Sequence, residues 1–398
     1  MRKLIFLLSL FIVFNSCSRQ NKDGKELSRL IDSIGGEFAP DRRLAIWDIR
    51  VERDGNNLIV AGSTNLADGY EELKVKLPDK FRNIENKVKL LPSAILGDKT
   101  WGVTTLSAGN IRREPKHSSE LVSQALLGTP VKVFDKQDGW YRVQTPDRYI
   151  GWIDPAGVAL FSETGLKAWK LYKKVLYNNQ SGYAYKNADA KSQVCSDLVL
   201  ADLLAISDST GDFYQTVFPD GREAFVKKSE CIGIGGWAKP EGVDTKEVVW
   251  SAKQFLGIPY LWGGVSSKMA DCSGLTKTSY YKHGVILQRD ASQQALYGGL
   301  VDTKNGYRHL QAGDLLFFGR TATDSLPGQV THVGIYIGDS EFIHSSGKVR
   351  INSFDPSRED FVKYYVDALV LARRVKGHIG EPGIEWVVEN EFYEKILP

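Results

Sequence analysis

The segment Ala270-Asp-Cys-Ser-Gly-Leu, approached through Gly257-Ile-Pro-Tyr-Leu-Trp-Gly-Gly, constrains this chain more than any other stretch. A glycine-rich loop followed by an Asp just before an apolar-periodic run marks a helix start, with Cys272 in the first turn. We therefore expect a helix over Asp271 to His283, preceded by another over Thr245 to Leu256 that Gly257 ends. Sixty residues beyond Cys272, Thr331-His-Val-Gly-Ile-Tyr-Ile-Gly alternates at strand period. Phe342-Ile-His-Ser-Ser follows after a turn at Gly338-Asp-Ser. Strands are expected at 314–318, 333–337, 341–345 and 368–372. Helices first and an antiparallel sheet after is an α+β order.

The chemistry of this region follows from its residue types. A thiol attacks only as thiolate, and both a helix N-terminus and a neighbouring imidazolium favour that form. Alternation sends Val333, Ile335 and Ile337 to one face and leaves His332 on the other, with Gly334 and Tyr336. His332 can then take the thiol proton and return it to a leaving amine. His344 lies on the next strand, where it can bond the far nitrogen of His332 and fix its tautomer, a task an Asn or Gln could also perform. Backbone N–H groups around Cys272 are the expected oxyanion hole. A cysteine in apolar surroundings is more often a core residue, but Asp271, Ser273 and two histidines weigh against that here. A zinc site of Cys272, His332 and His344 would lack any closely spaced ligand pair. No metal or cofactor is expected. His117, His283, His309 and His378 are expected at surfaces or turns. Trp101, Trp140, Trp152, Trp237 and Trp262 are expected to fill cores and seams.

Upstream, residues 97–235 contain an internal repeat. Gly139-Trp-Tyr-Arg-Val-Gln-Thr-Pro-Asp aligns with Gly211-Asp-Phe-Tyr-Gln-Thr-Val-Phe-Pro-Asp, each flanked by short alternating strands and Gly or Asp turns. Such spacing means two small β-barrels, over 97–160 and 165–235. Residues 26–95 read as a small α/β unit. It has a helix from Leu27 to Ile34, strands at Ala45 to Val51 and Asn57 to Gly62, and a helix from Asp68 to Leu77 ended by Pro78. Gly235 to Gly242 reads as a linker, and 376–398 as a tail without a readable role. Cys195 and Cys231 can pair or stay free, and either leaves Cys272 unpaired.

Arg2 and Lys3 precede an apolar run from Leu4 to Phe14 and then Asn15-Ser16-Cys17. The run is too short for a membrane span of roughly twenty residues and reads as an export signal over 1–17. A polar tether over 18–25 follows. A net charge of +3 without a basic block argues against a nucleic-acid partner.

The 257–344 motifs together resemble the NlpC-type cell-wall cysteine peptidases over about 240–375, and all three catalytic positions match. Gly109-Asn-Ile-Arg-Arg-Glu-Pro resembles the opening of bacterial SH3-like domains, and the signal ending in Cys17 resembles that of bacterial lipoproteins. The resemblance implies a papain-like core that cleaves peptidoglycan stem peptides. With two SH3-like barrels in front, the family's γ-D-glutamyl-L-diamino acid endopeptidases are the nearest likeness, releasing L-Ala-γ-D-Glu from stems with a free N-terminal L-Ala. In those enzymes the first barrel walls the cleft, which nominates Glu120 and Tyr149 as caps of the substrate amine. The resemblance also nominates Tyr260, Asp271 and Ser273, beside the nucleophile, and Asp290 and Ser292 as substrate-binding residues. Arg289-Asp290 matches an Arg-Asp-Ser pattern in which Ala291 replaces the serine and Ser292 follows. A monomeric exported lipoprotein of the cell envelope, periplasmic or anchored in the outer membrane through Cys17, is the corresponding expectation. A wall-anchoring protein and an amidase or acyltransferase on the same core are the alternatives.

Overall fold

The computed structural model describes residues 23–55, 57–81, 84–238, 242–322 and 328–397. The signal 1–17, Cys17 and residues 18–22 of the expected tether lie outside them. Two compact units divide the chain, one up to Gly97 and one from Asp98 onward.

In the first unit a helix over 23–38 begins inside the expected tether and presents Leu27, Ile31 and Ile34 at i, i+4, i+7 spacing. They pack with Leu73 and Leu77 from the helix Ala67–Lys80 over a three-stranded sheet. The sheet pairs Trp47–Asp54 antiparallel with Asn57–Thr64, and Asn57–Thr64 parallel with Ile84–Leu90. Two expectations are corrected. Pro78 sits inside the helix rather than ending it, tolerated in a final turn whose cap at Phe81 still bonds Leu77. The third strand went unread because Ile84-Glu-Asn-Lys-Val-Lys-Leu shows little alternation.

The second unit opens with two seven-stranded sheets, one from Trp101 to Phe161 and one from Lys173 to Gly233. Numbered within each sheet, both have the strand order 7-1-4-5-6-2-3, so the second repeats the first strand for strand. Trp140–Gln144 and Phe213–Val217, aligned in sequence, occupy the same place in each. Cys195 and Cys231 are free thiols.

The remaining sheet has six antiparallel strands in the order Gly299–Val301, Leu369–Arg374, Leu315–Arg320, Gln329–Gly338, Glu341–Ser346, Lys348–Ser353. Helices Thr245–Lys253 and Cys272–Tyr281 cover one face, where Val248, Ala252 and Leu275 meet Val333, Ile335, Ile343 and Val349. The other face carries Phe318, Tyr336, Phe342 and Tyr365, the last from a short helix Lys363–Ala368. The expected strand at 368–372 is therefore displaced to Leu369–Arg374.

Two segments read as linker and tail are core. Gly235–Ala238 forms one helical turn whose Trp237 is buried and donates Nε1–H to the Tyr281 carbonyl at 2.6 Å. Ile384–Trp386 pairs with Val285–Leu287, and beyond it Val387, Tyr393 and Ile396 join Val103, Leu126, Leu176 and Trp237 in one cluster. Glu391 forms ion pairs with Lys132 and Arg148 of the first barrel. The segment after 376 thus fastens that barrel to the six-stranded sheet's domain.

Candidate active site

Asp271 caps the helix Cys272–Tyr281, its Oδ1 accepting from the Gly274 N–H at 2.7 Å. Only glycine fits at 274, where a Cβ would lie 2.0 Å from the Gly264 carbonyl oxygen. The loop before the helix is therefore pressed against the helix start. The other Asp271 oxygen accepts from the Gly263 N–H at 2.9 Å, at a position with φ +80 beside the barrel's Leu121.

The same carboxylate meets a guanidinium that is buried to 99%, Arg289 at 1% exposure. Arg289 donates to Asp271 through two nitrogens, at 3.2 and 2.6 Å, and to Ser273 Oγ at 2.9 Å. Its Nε donates to Ser123 Oγ of the first barrel at 3.1 Å. Asp271 and Ser273, expected on the substrate side, are buried and turn their side chains into this knot. Their neighbourhood makes a second charge pair across the seam, the half-buried Lys277 with the buried Asp147. Burial acts against both charges, yet the Lys277 ammonium holds the Asp147 carboxyl below its usual range.

Cys272 is 8% exposed. Burial pushes its thiol up to about 12 and Asp271 adds to this, while N–H groups of Val333 and Ser273 and the charge of Arg289 pull it back. Val333, whose N–H reaches the thiol, directly follows His332 on the strand Gln329–Gly338.

Hydrogen bonding sets the tautomer of every ring behind the thiol. Asn352 donates Nδ2–H to the Asp360 carbonyl at 2.8 Å, which leaves its Oδ1 as acceptor toward His344 Nε2, 2.8 Å away. His344 Nε2 therefore carries the proton and its Nδ1 accepts. Across 2.9 Å, His332 Nε2 must then donate. The remaining nitrogen of His332, Nδ1, is left as a bare lone pair, the form a base requires. Both nitrogens of His344 are engaged, so it offers no lone pair to a metal. Burial, His344 and Arg350 depress His332 to about 3, and burial depresses His344 to about 4. Burial thus favours the neutral pair of thiol and imidazole over thiolate and imidazolium.

Of the other nominated residues, Tyr260 lies near enough to Cys272 and Asp271 that they and burial hold its hydroxyl protonated well above the ordinary value. It is a standing hydrogen-bond donor beside the thiol. Glu120 reaches the catalytic domain: Oε1 accepts from Trp262 Nε1 at 2.8 Å and Oε2 from Arg113 at 2.7 Å. Trp262 is 62% exposed and stands at the seam between barrel and catalytic domain rather than in a core. The Tyr149 hydroxyl donates to Asp290 Oδ2 at 3.4 Å. Asp290 precedes the short helix Ala291–Gln294, on which Ala291 is buried and Ser292 exposed. At about 100° of rotation per residue, Ser292 does not replace the serine that Ala291 lacks. Sequence reasoning missed Asn352, Ser123, Lys277 and Asp147. The alternation of Val349-Arg-Ile-Asn could have revealed the strand that carries Asn352.

Comparison with known proteins agrees with this geometry. Residues 257–370 match the NlpC/P60 family, and residues 111–158 match the bacterial dipeptidyl-peptidase SH3 domain. The chain belongs to the NlpC/P60 family. It is a cysteine peptidase of the kind that acts on peptidoglycan. It is 31% identical over 276 residues to a γ-D-glutamyl-L-lysine dipeptidyl-peptidase of Bacillus cereus, covering 67% of this chain and 78% of that one. It is 28% identical over 262 residues to dipeptidyl-peptidase 6 of Lysinibacillus sphaericus, covering 62% and 89% respectively. The crystal structure of an NlpC/P60 family protein from Bacillus cereus superposes with a TM-score of 0.58 at 26% identity, over 69% of this chain and 99% of that one.

Two outcomes are expected. Arg289→Leu leaves the Asp271 carboxylate buried without its cation and should lower stability by about 3–5 kcal/mol. Adding Asp271→Asn should recover part of that loss in urea unfolding, and full additivity of the two changes would refute the pairing. Because His332 acts only when unprotonated and its pKa is depressed, the acid limb of kcat/KM should lie well below 6.5. A limb at or above 6.5 in a pH–rate profile contradicts the neutral-pair assignment.

Proposed function

We propose that the protein hydrolyses the γ-D-glutamyl–diamino acid bond of peptidoglycan stem peptides that carry a free N-terminal L-Ala, releasing L-Ala-γ-D-Glu. The observation that carries this reading is the reach of Glu120 and Tyr149 from the first barrel to Trp262 and Asp290 of the catalytic domain. A cleft closed on that side by two carboxylates suits a short acyl segment that begins with an ammonium. Glu120 keeps lone pairs to accept from it even while bonded to Arg113 and Trp262. A stem still joined to glycan has no ammonium and would leave those charges unmatched.

In the reaction, Cys272 Sγ attacks the γ-carbonyl carbon of D-Glu as His332 Nδ1 takes its proton. The oxyanion draws on backbone N–H groups at the helix start and on the Tyr260 hydroxyl. Collapse returns the proton from His332 to the departing amine and leaves a thioester. Water, deprotonated by the same nitrogen, then cleaves the thioester and restores the thiol. The names of the relatives support the γ-glutamyl bond as the target.

Purified protein should release L-Ala-D-Glu from L-Ala-γ-D-Glu-diamino acid peptides, read by mass spectrometry, and leave N-acetylmuramoyl stems uncut. Cleavage between muramic acid and L-Ala, or equal turnover of N-acylated peptides, would overturn the proposal. Binding to wall without any cleavage would do the same.

We propose further that the chain is exported and lipidated at Cys17, on the basic, short apolar and cysteine-ending order of residues 1–17. Metabolic labelling with a fatty-acid analogue should mark the native chain in the membrane fraction and fail with Cys17→Ser. Equal labelling of both rules out the anchor.

A further inference from the structure

The strand Lys348–Ser353 forms the edge of the six-stranded sheet beside the histidines, and the mechanism uses only its Asn352. In register, His344 faces Arg350 and Ser346 faces Lys348. Residues directly opposite in an antiparallel pair put their side chains on one face. His344, Arg350, Lys348 and Asn352 therefore share the face that carries His332, while Val349 and Ile351 turn to the core. Arg350 folds along this face so that its Nη2 donates to the Ser346 carbonyl at 2.7 Å. Its charge is felt at both imidazoles. Arg350 and Lys348 are exposed, and neither has a carboxylate partner among the described residues. The start of the same strand is pinned to the segment leading into the site, where Pro259 bridges Lys348 and the Tyr260 N–H donates to Gly347 at 3.0 Å.

A cation beside the catalytic base is unfavourable for the imidazolium that forms there, so it needs a reason that the base does not supply. The leaving group supplies one. His332 hands its proton to the departing amine, so groups around His332 and away from the thiol border the diamino acid. The acyl side already has its own charges in Glu120 and Asp290, which suit an ammonium. The opposite sign stands at the other end.

We propose that Arg350, assisted by Lys348, binds a carboxylate on the leaving diamino acid and so makes the enzyme select acidic leaving groups, diaminopimelate above lysine. The inference rests on the γ-D-glutamyl–diamino acid reading. A lysine side chain would set only an ammonium against two cations, whereas diaminopimelate carries, on the same carbon as that ammonium, a second carboxylate for them to bind. Arg350 can grip a carboxylate with two parallel N–H groups, one nitrogen remaining anchored on Ser346.

The test uses the full chain and four peptides: L-Ala-γ-D-Glu linked to meso-diaminopimelate, the same peptide amidated at the side-chain carboxyl, the same amidated at the α-carboxyl, and the lysine peptide. Wild type should prefer the first over the amide that removes the recognised carboxylate by about ten- to a hundredfold in kcat/KM. Arg350→Gln should collapse that ratio, and Lys348→Gln should reduce it less. Loss of turnover on side-chain amidation identifies the carboxylate unique to diaminopimelate; loss on α-amidation alone, with the lysine peptide cut as fast as the diaminopimelate peptide, overturns the selection against lysine. Cleavage of all four peptides with ratios that neither substitution changes would overturn the inference and leave the functional reading intact. No cleavage of any peptide overturns both. Arg350→Gln is exposed and retains the strand, so unchanged thermal unfolding should accompany the altered ratio.

Discussion

A single buried ion pair, Arg289 with Asp271, holds the catalytic arrangement together. The carboxylate stops the helix, gathers the glycine loop through Gly263 and accepts two guanidinium bonds. The guanidinium in turn crosses to Ser123 of the barrel. A pair removed from water is worth keeping only when its other donors and acceptors are satisfied, and here nearly all are. The position of the thiol and the position of the barrel wall are therefore one structural fact. Helix start, loop and barrel cannot shift independently without exposing a charge to an apolar interior.

The relay behind the thiol works by donor and acceptor direction. A backbone carbonyl at Asp360 orients an amide, the amide orients one imidazole, and that imidazole orients the next. No formal charge is needed in the relay, which suits burial in a region where protonated imidazoles are disfavoured. An Asp at 352 would accept in the same geometry, but its charge would favour an imidazolium and change the resting state. Neutral relay and neutral thiol belong together.

The parts of this arrangement differ in how far sequence discloses them. Cys272, His332 and His344 were legible because each sits at a local signal: a capped helix start, a strand's alternation, a hairpin partner. The like strand order of the two seven-stranded sheets was legible because a repeat compares the chain with itself. Glu120 and Tyr149 came through resemblance, and nothing local distinguishes either from any other barrel residue. Arg289 looked like part of a motif, while its burial against Ser123, 166 residues away, is a tertiary fact. The segment after 376 escaped because Val387, Phe392 and Ile396 bury themselves only against elements from three other regions. Their apolar faces have no periodic pattern that a single short stretch could show. Asn352 escaped for a plainer reason: the alternation of its strand spans only Lys348–Ser353, directly after the turn at Gly347.

The pairs Lys277–Asp147 and Arg289–Asp271, together with Ser123 beneath the latter, lie along the line where barrel meets catalytic domain. Parting the two bodies would unmatch a half-buried lysine, a buried carboxylate and a buried hydroxyl at once. Such a joint does not breathe. On the proposed function, the acyl segment of the substrate is then measured against a fixed gauge, whose dimension was settled when the protein folded.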